Sequence, residues 1–217
     1  MQLIFEQIRV GGDRNFGYLL GDREAKQGVL IDPSYSPEIL VDRALAQGLT
    51  ITHILNTHGH PDHTEGNTKA SQLTGAVVSA HSKSPVKPEV SLEDGNNLSI
   101  GSLTLECMHV PGHAADHLVF YQPDHKILFT GDLLFVGKVG GTPTELDSVT
   151  EWDSLQRVIG GFPSDSSVWP GHDYGVRPSS TLDLEKKTNP FLLCKTRQAF
   201  LELKHSWPTF KQSHGLK

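Results

Sequence analysis

Short apolar runs alternate with turn-forming residues along most of this chain, and their lengths predict strands more often than helices. Residues 3–10, 15–20 and 28–32 read as three strands in the first third. Ser36-Pro37-Glu38 then opens a helix. Serine can cap the free amides, proline tolerates the first helical position, and glutamate favours the positive helix end. Ile39, Leu40, Ala44 and Leu45 give this helix an apolar stripe, and Gly48 ends it. A short strand over 53–56, a helix over about 64–73 and a strand over 76–79 follow. The stretch 81–97 is rich in Ser, Pro, Glu and Gly and reads as a loop.

Residues 103–110, 118–121 and 126–130 form three further strands, the last two separated by the turn Gln122-Pro123-Asp124. Trp152, Leu155, Val158 and Ile159 recur at helical spacing. Val168-Trp169 is a last short strand, and 181–187 and 196–205 read as helices separated by Asn189-Pro190. Strands therefore fall in two groups, each followed by helices. Two sheets packed face to face, with helices outside, satisfy that order. The expected organisation is one domain over residues 1–217, with a short helical extension from about 178.

Hydrophobic residues make up 36% of the chain, so the core must be spread over many short elements. The formal charge of -6 argues against a nucleic-acid or anionic-membrane partner, since both want a basic face. No apolar run approaches the ~18 residues of a membrane span, and no basic-then-apolar signal opens the chain. A cytoplasmic protein is expected. Cys107 and Cys194 lie far apart and form no CxxC pair, so neither a thiolate metal site nor a redox motif is expected.

Histidine changes the picture most. Thr57-His58-Gly59-His60-Pro61-Asp62-His63 follows an apolar strand and places three imidazoles and a carboxylate in a turn. A turn lets close side chains converge, whereas a straight strand sends neighbours to opposite faces. Imidazole and carboxylate are ligands that zinc, iron and manganese accept. Three later segments repeat the pattern of strand end, turn and ligand-type residue: Val110-Pro111-Gly112-His113, Thr130-Gly131-Asp132 and Trp169-Pro170-Gly171-His172. Together they predict a metal site on one rim of a sheet sandwich. His53, His81, His109, His117, His125, His205 and His214 lie outside these patterns and read as ordinary surface or strand residues.

The succession HGHPDH, PGH, TGD and PGHDY resembles the metallo-β-lactamase superfamily, and within it the hydroxyacylglutathione hydrolases (glyoxalase II), over roughly residues 1–190. The resemblance implies an α/β four-layer αββα sandwich. It implies two divalent metal ions, zinc first, with iron or manganese suited to the same ligands. His58, His60 and His113 would hold one metal, and Asp62, His63 and His172 the other. Asp132 would bridge them together with a water or hydroxide. An aspartate at the bridging position resembles the hydrolase branch more than true β-lactamases. Two dications, two aspartates and a hydroxide leave a net positive field, which stabilises an oxyanion. Metal binding also lowers the pKa of water from 15.7 toward ~7. The implied reaction is hydrolysis of a small-molecule thioester such as hydroxyacylglutathione, with the bridging hydroxide as nucleophile and Asp62 and Asp132 in catalytic roles.

Two departures bear on substrate. Relatives usually carry Gly-Cys-Gly and then a lysine or arginine after the bridging aspartate, and that cation receives a carboxylate of glutathione. Here Gly141 takes the cation position and Lys138 comes three residues earlier. Lys138 reads either as a substrate contact through a different loop path or as a solvated loop lysine. Tyr174, in the HDY segment, reads as lining the substrate site or as packing under the metal loop. The chain after His172 is also shorter than in the larger relatives, and Lys186, Lys187, Lys195 and Arg197 read as basic contacts or as helix surface. The competing activity is that of the persulfide dioxygenases, which share almost the same ligands but use one iron to oxidise glutathione persulfide. Hydrolysis of another ester and a non-catalytic metal-binding scaffold are the remaining alternatives.

Overall fold

Tyr18, Leu19 and Leu20 are consecutive and all buried, although a strand sends neighbours to opposite faces. Both faces of the sheet that holds them must therefore be covered. The computed structural model, which describes residues 2–213, does this with four layers. β1 (Leu3–Gly11), β2 (Asn15–Asp22) and β3 (Gln27–Ile31) form an antiparallel ladder. α1 (Pro37–Ala46) crosses over to β4 (Thr50–Leu55), which runs parallel to β3. α2 (Pro61–Thr64) and α3 (Asn67–Thr74) lead to β5 (Val77–His81) and β6 (Val90–Leu92), both added in parallel. The first sheet is ordered β1-β2-β3-β4-β5-β6.

The second half repeats the plan with a different ladder. β7 (Asn97–Ile100), β8 (Leu103–His109), β9 (Leu118–Gln122) and β10 (Ile127–Gly131) run antiparallel in succession. A small hairpin of β11 (Leu134–Phe135) and β12 (Lys138–Val139) precedes the long helix α4 (Glu145–Gly161). β13 (Ser167–Pro170) returns parallel to β10, and β14 (Ser180–Thr181) closes the sheet in the order β14-β13-β10-β9-β8-β7. α5 (Leu182–Thr188) and α6 (Arg197–Ser213) complete the described residues.

Phe16, Tyr18, Leu20 and Leu55 of the first sheet meet Leu105, Phe120 and Phe129 of the second. On the far side of the first sheet, Leu19, Leu30 and Ile54 pack on Leu40, Val41 and Ala44 of α1 and Ala70 of α3. On the far side of the second, Val119, Leu128 and Val168 pack on Leu155 and Val158 of α4 and on Phe200 of α6. Each of the buried Val, Leu, Ile and Phe side chains contributes about 1.5–3 kcal/mol relative to exposure. The arrangement is the αββα sandwich of the metallo-β-lactamase fold.

Several local expectations change. The stretch 81–97 contains β6, and β7 follows it: both are short outer strands whose backbone pairing outweighs their turn-rich composition. The helix expected over 64–73 is two, broken at Gly66, which packs against the carbonyl oxygen of Ser34 with no room for a Cβ. Ser36 makes no side-chain capping bond to α1. The buried face of that helix is Pro37, Leu40, Val41 and Ala44, while Ile39 and Leu45 face solvent. α6 runs past residue 205 to Ser213 despite carrying Pro208. No helix among the described residues is long and apolar enough to cross a membrane.

Candidate metal centre

The ligand-type residues sit where strands end. β4 delivers the chain into the turn 56–63, β8 into the loop carrying His113, β10 into Asp132 and β13 into His172. The parallel register of β10 and β13 pairs Gly131 with Pro170, and the Gly171 amide donates to the Gly131 carbonyl at 2.8 Å. Asp132 and His172 are thereby brought side by side. Gly171 allows this close approach: a Cβ there would lie 2.3 Å from Asp132 Oδ1 and 2.7 Å from His63 Cε1.

Four of the five imidazoles, His60 being the exception, have one nitrogen committed outward. His58 Nδ1 donates to Thr57 Oγ1 at 3.1 Å, and that hydroxyl donates to Asp32 Oδ2 at 2.7 Å. His63 Nδ1 donates to Asp32 Oδ2 at 3.0 Å, His113 Nδ1 to the Gly141 carbonyl at 2.6 Å, and His172 Nδ1 to the Asp13 carbonyl at 2.9 Å. The other nitrogens then face one another. His58 Nε2 and His113 Nε2 lie 2.9 and 3.0 Å from His60 Nδ1, and His63 Nε2 lies 3.3 Å from His172 Nε2. Nitrogens around a four-coordinate zinc, at 2.0–2.1 Å from the metal, stand about 3.3 Å apart.

Carboxylates complete two groups. Asp62 Oδ2 lies 3.6 Å from His63 Nε2 and 3.3 Å from His172 Nε2. Asp132 faces both groups: Oδ1 is 3.4 Å from His63 Nε2, while Oδ2 is 3.6 Å from His113 Nε2 and 3.3 Å from His172 Nε2. Asp132 Oδ1 is buried and accepts no hydrogen bond among the described residues. A buried carboxylate oxygen without a donor is costly unless a cation occupies the space beside it. Convergent nitrogen lone pairs and that orphaned oxygen fit metal ions at His58/His60/His113 and at Asp62/His63/His172. Outward donation from the imidazoles to carbonyls and carboxylates is the arrangement metal sites use to fix ring tautomers.

Electrostatics agree. Burial, reinforced by His63, holds His58 well below the ordinary imidazole range, and burial also lowers His113. Burial opposes charge on His63 and His172 too, but carboxylates outweigh it. Asp132 and Asp32 push His63 well up, and Asp132 with Asp62 lift His172 to about 9. A ligand imidazole must be neutral, so metal must displace the His172 proton below pH 9. Zinc affinity should therefore rise with pH up to at least about 9, by about tenfold per unit for each proton displaced. Chelator-competition titrations from pH 6.5 to 9.5 check this, and a flat profile would contradict it.

Residues outside the expected set hold the ligands in place. Asp32 receives the Thr57 amide at 2.8 Å as well as His63, and is 1% exposed. Asn15 Nδ2 donates to the Asp62 carbonyl at 3.1 Å and to Asp62 Oδ2 at 3.0 Å, and the Ser34 hydroxyl donates to the same carbonyl. His117 is not an ordinary strand or surface residue. It is fully buried under the site and stacks on His58 at 4.9 Å. Of the other histidines set aside from the sequence, His53, His81 and His109 do lie in strands, and His214 lies outside the described residues.

Beside the ligands a groove of about 690 Å³ runs between the loop after β12 and α6, lined by Lys138, Gly141, Phe191, Lys204, Trp207 and Lys211. Lys138 Nζ sits 3.8 Å from the Tyr174 ring centroid and 5.3 Å from that of Phe135. Arg14 lies 4.9 Å from the Tyr174 ring, which itself stacks on His172 at 4.6 Å. The Tyr174 hydroxyl donates to Asp13 Oδ2 at 2.6 Å. A Cβ on Gly141 would meet nothing within 4 Å, so the position is open space. The C-terminal cations that reach the groove are Lys204 and Lys211. Lys187 and Arg197 pair instead with Asp183 and Asp153, and Lys186 bonds the Ser164 hydroxyl.

Residues 10–184 match the family described as the metallo-beta-lactamase superfamily. The chain belongs to it. Members bind metal ions, and the two groups above fit that role. Among relatives of this superfamily member, the human mitochondrial persulfide dioxygenase ETHE1 is 33% identical over 180 residues, covering 82% of this chain and 71% of the relative. A hydroxyacylglutathione hydrolase from a Synechococcus strain is 34% identical over 224 residues, covering 82% and 84%. Among solved structures, TTHA1623 in a di-iron-bound form superposes with a TM-score of 0.72 at 32% identity, covering 86% of this chain and all of that one. Identity is thus near equal to proteins of two different activities.

Proposed function

We propose that this protein is a binuclear metallohydrolase that cleaves acyl thioesters bearing an anionic group, of which hydroxyacylglutathione is the model. The observation that carries this reading is Asp132, whose carboxylate lies within 3.6 Å of imidazoles from both convergent groups. The structural neighbour in a di-iron-bound form supports two ions in such a frame. Ions bound there would supply Lewis acidity and would ionise water at neutral pH. His58, His60 and His113 would hold one, Asp62, His63 and His172 the other, with Asp132 shared. Asp62 and Asp132 carry the negative charge of the site, and both are held well below the usual carboxylate range, Asp62 by its hydrogen bond to His172 and Asp132, despite burial, by His63.

Substrate recognition falls to the groove. Lys138 and Arg14 flank Tyr174, and Lys138 and Lys211 line the same groove as the open position at Gly141. Burial and then the neighbouring Lys211 and Arg14 lower Lys138 to about 8, which leaves it charged at neutral pH. In this reading Lys138 meets a carboxylate of the thiol portion, and Tyr174 supports Lys138 through its ring face. Replacing Lys138 with methionine should raise KM for a carboxylate-bearing thioester about tenfold, the worth of one charge-assisted contact, and leave a neutral thioester unchanged. Equal effects on both substrates would assign Lys138 to loop support. A cytoplasmic setting suits a reaction that releases a free thiol and agrees with the unpaired Cys107 and Cys194.

One-iron oxidation of a persulfide is the competing reading, favoured by the near-equal identity to ETHE1. The deciding experiment is zinc-loaded protein assayed without oxygen. Turnover of hydroxyacylglutathione with two zinc ions per chain is the expected result. A single tightly held iron, oxygen uptake with glutathione persulfide and silence towards every thioester would overturn it.

A further inference from the structure

We propose that His117 is a positioning residue for the metal centre, holding the backbone of Asp132 so that its carboxylate spans both groups of imidazoles. The proposal rests on the reading of Asp132 as a shared ligand. His117 itself belongs to none of the convergent donor groups. Its Nε2 instead accepts the Asp132 amide hydrogen at 3.1 Å, from a side chain that is 0% exposed.

Three further observations single it out. The turn that carries Asp132 is folded onto this ring: a Cβ on Gly131, whose φ is +48°, would lie 2.8 Å from His117 Nε2. The segment also touches every other ligand-bearing stretch around the first group. The Val110 amide donates to the His117 carbonyl at 2.8 Å, closing the loop that holds His113, and the Leu118 amide donates to the Thr57 carbonyl at 2.7 Å, beside His58. Finally, an Nε2 that accepts leaves the proton on Nδ1, and that buried nitrogen has no partner among the described residues. Packing alone would be served better by an apolar ring, which strands no donor. What requires imidazole here is the acceptor turned towards Asp132.

Glutamine and methionine separate the two roles. His117→Gln keeps a carbonyl acceptor near the Nε2 position, whereas His117→Met fills similar space with none. The measurements are zinc affinity by chelator competition, zinc stoichiometry and the melting temperature of metal-free protein. His117→Met should weaken zinc about 10–100-fold, the usual cost of losing an outer partner of a metal ligand. His117→Gln should stay within about threefold of wild type. Equal zinc affinity in wild type and both variants, or equal weakening in both, would overturn the proposal and leave His117 a packing residue. If the methionine variant fails to fold, His117→Asn replaces it. Its carbonyl stops short of the Nε2 position, so it should weaken zinc where glutamine does not, and equal affinities for the two amides would likewise overturn the proposal. Failure of the underlying reading looks different: wild-type protein would then bind fewer than two zinc ions before any variant is made.

Discussion

Asp132→Ala should leave the protein folded but unable to retain a pair of metal ions, with kcat/KM for a thioester reduced on the order of a thousandfold or more. Among the described residues Asp132 is the one carboxylate within 3.6 Å of imidazoles from both groups, so its loss would remove a ligand from each position at once. It also removes a negative charge that offsets the dications, the same charge that raises His63 and His172. Metal analysis after zinc-replete expression, alongside the thioester assay, checks this. Two retained ions and a near-normal rate would show that Asp132 is not shared between them.

Gly171→Ala should damage the same site with a single methyl group. The Gly171 amide donates to Gly131 and its carbonyl accepts from Phe16, both at 2.8 Å, so this backbone cannot retreat. The new Cβ would stand 2.3 Å from Asp132 Oδ1, and the carboxylate must swing away instead. Misplacement by about 1 Å in a reacting site can cost a hundredfold in rate, and that is the loss expected here, together with weaker zinc binding. Gly160→Ala in α4 is the matched control: nothing lies within 4 Å of its Cβ, and alanine favours helix by up to about 1 kcal/mol. Wild-type zinc affinity in Gly171→Ala would sink the steric account.

The convergence of the candidate ligands was legible in the sequence because each combines a strand end, a turn residue and a side chain of ligand type, all within a few positions. His58, His113, Asp132 and His172 all carry that local mark. Their supports do not. Asn15 reaches Asp62 across 47 positions and Asp32 reaches His63 across 31, distances that only the sheet order closes. Asp32 nevertheless follows an apolar strand and precedes Pro33, the same mark that Asp132 bears, and could have been found by it. His117 was hidden for another reason. Nothing in Ala115-Asp116-His117-Leu118 distinguishes a histidine that faces solvent from one that accepts a backbone amide beneath the core. The buried face of α1 keeps Leu40 and Ala44 of the expected stripe but takes Val41 inward and leaves the apolar Ile39 and Leu45 to solvent, a rotation that side-chain type alone does not reveal.

The division of the ligands between the sheets has a consequence for how the protein comes together. His58, His60, Asp62 and His63 follow a strand of the first sheet, whereas His113, Asp132 and His172 follow strands of the second. The seam between the two is sewn by the Phe16 amide to the Gly171 carbonyl and by His172 to the Asp13 carbonyl, the latter contact spanning 159 positions. Neither half of the chain, folded by itself, would contain a complete donor group. Contacts this distant in sequence form late and slowly, so metal capture would come at the end of folding, as a rivet driven through two plates already laid together.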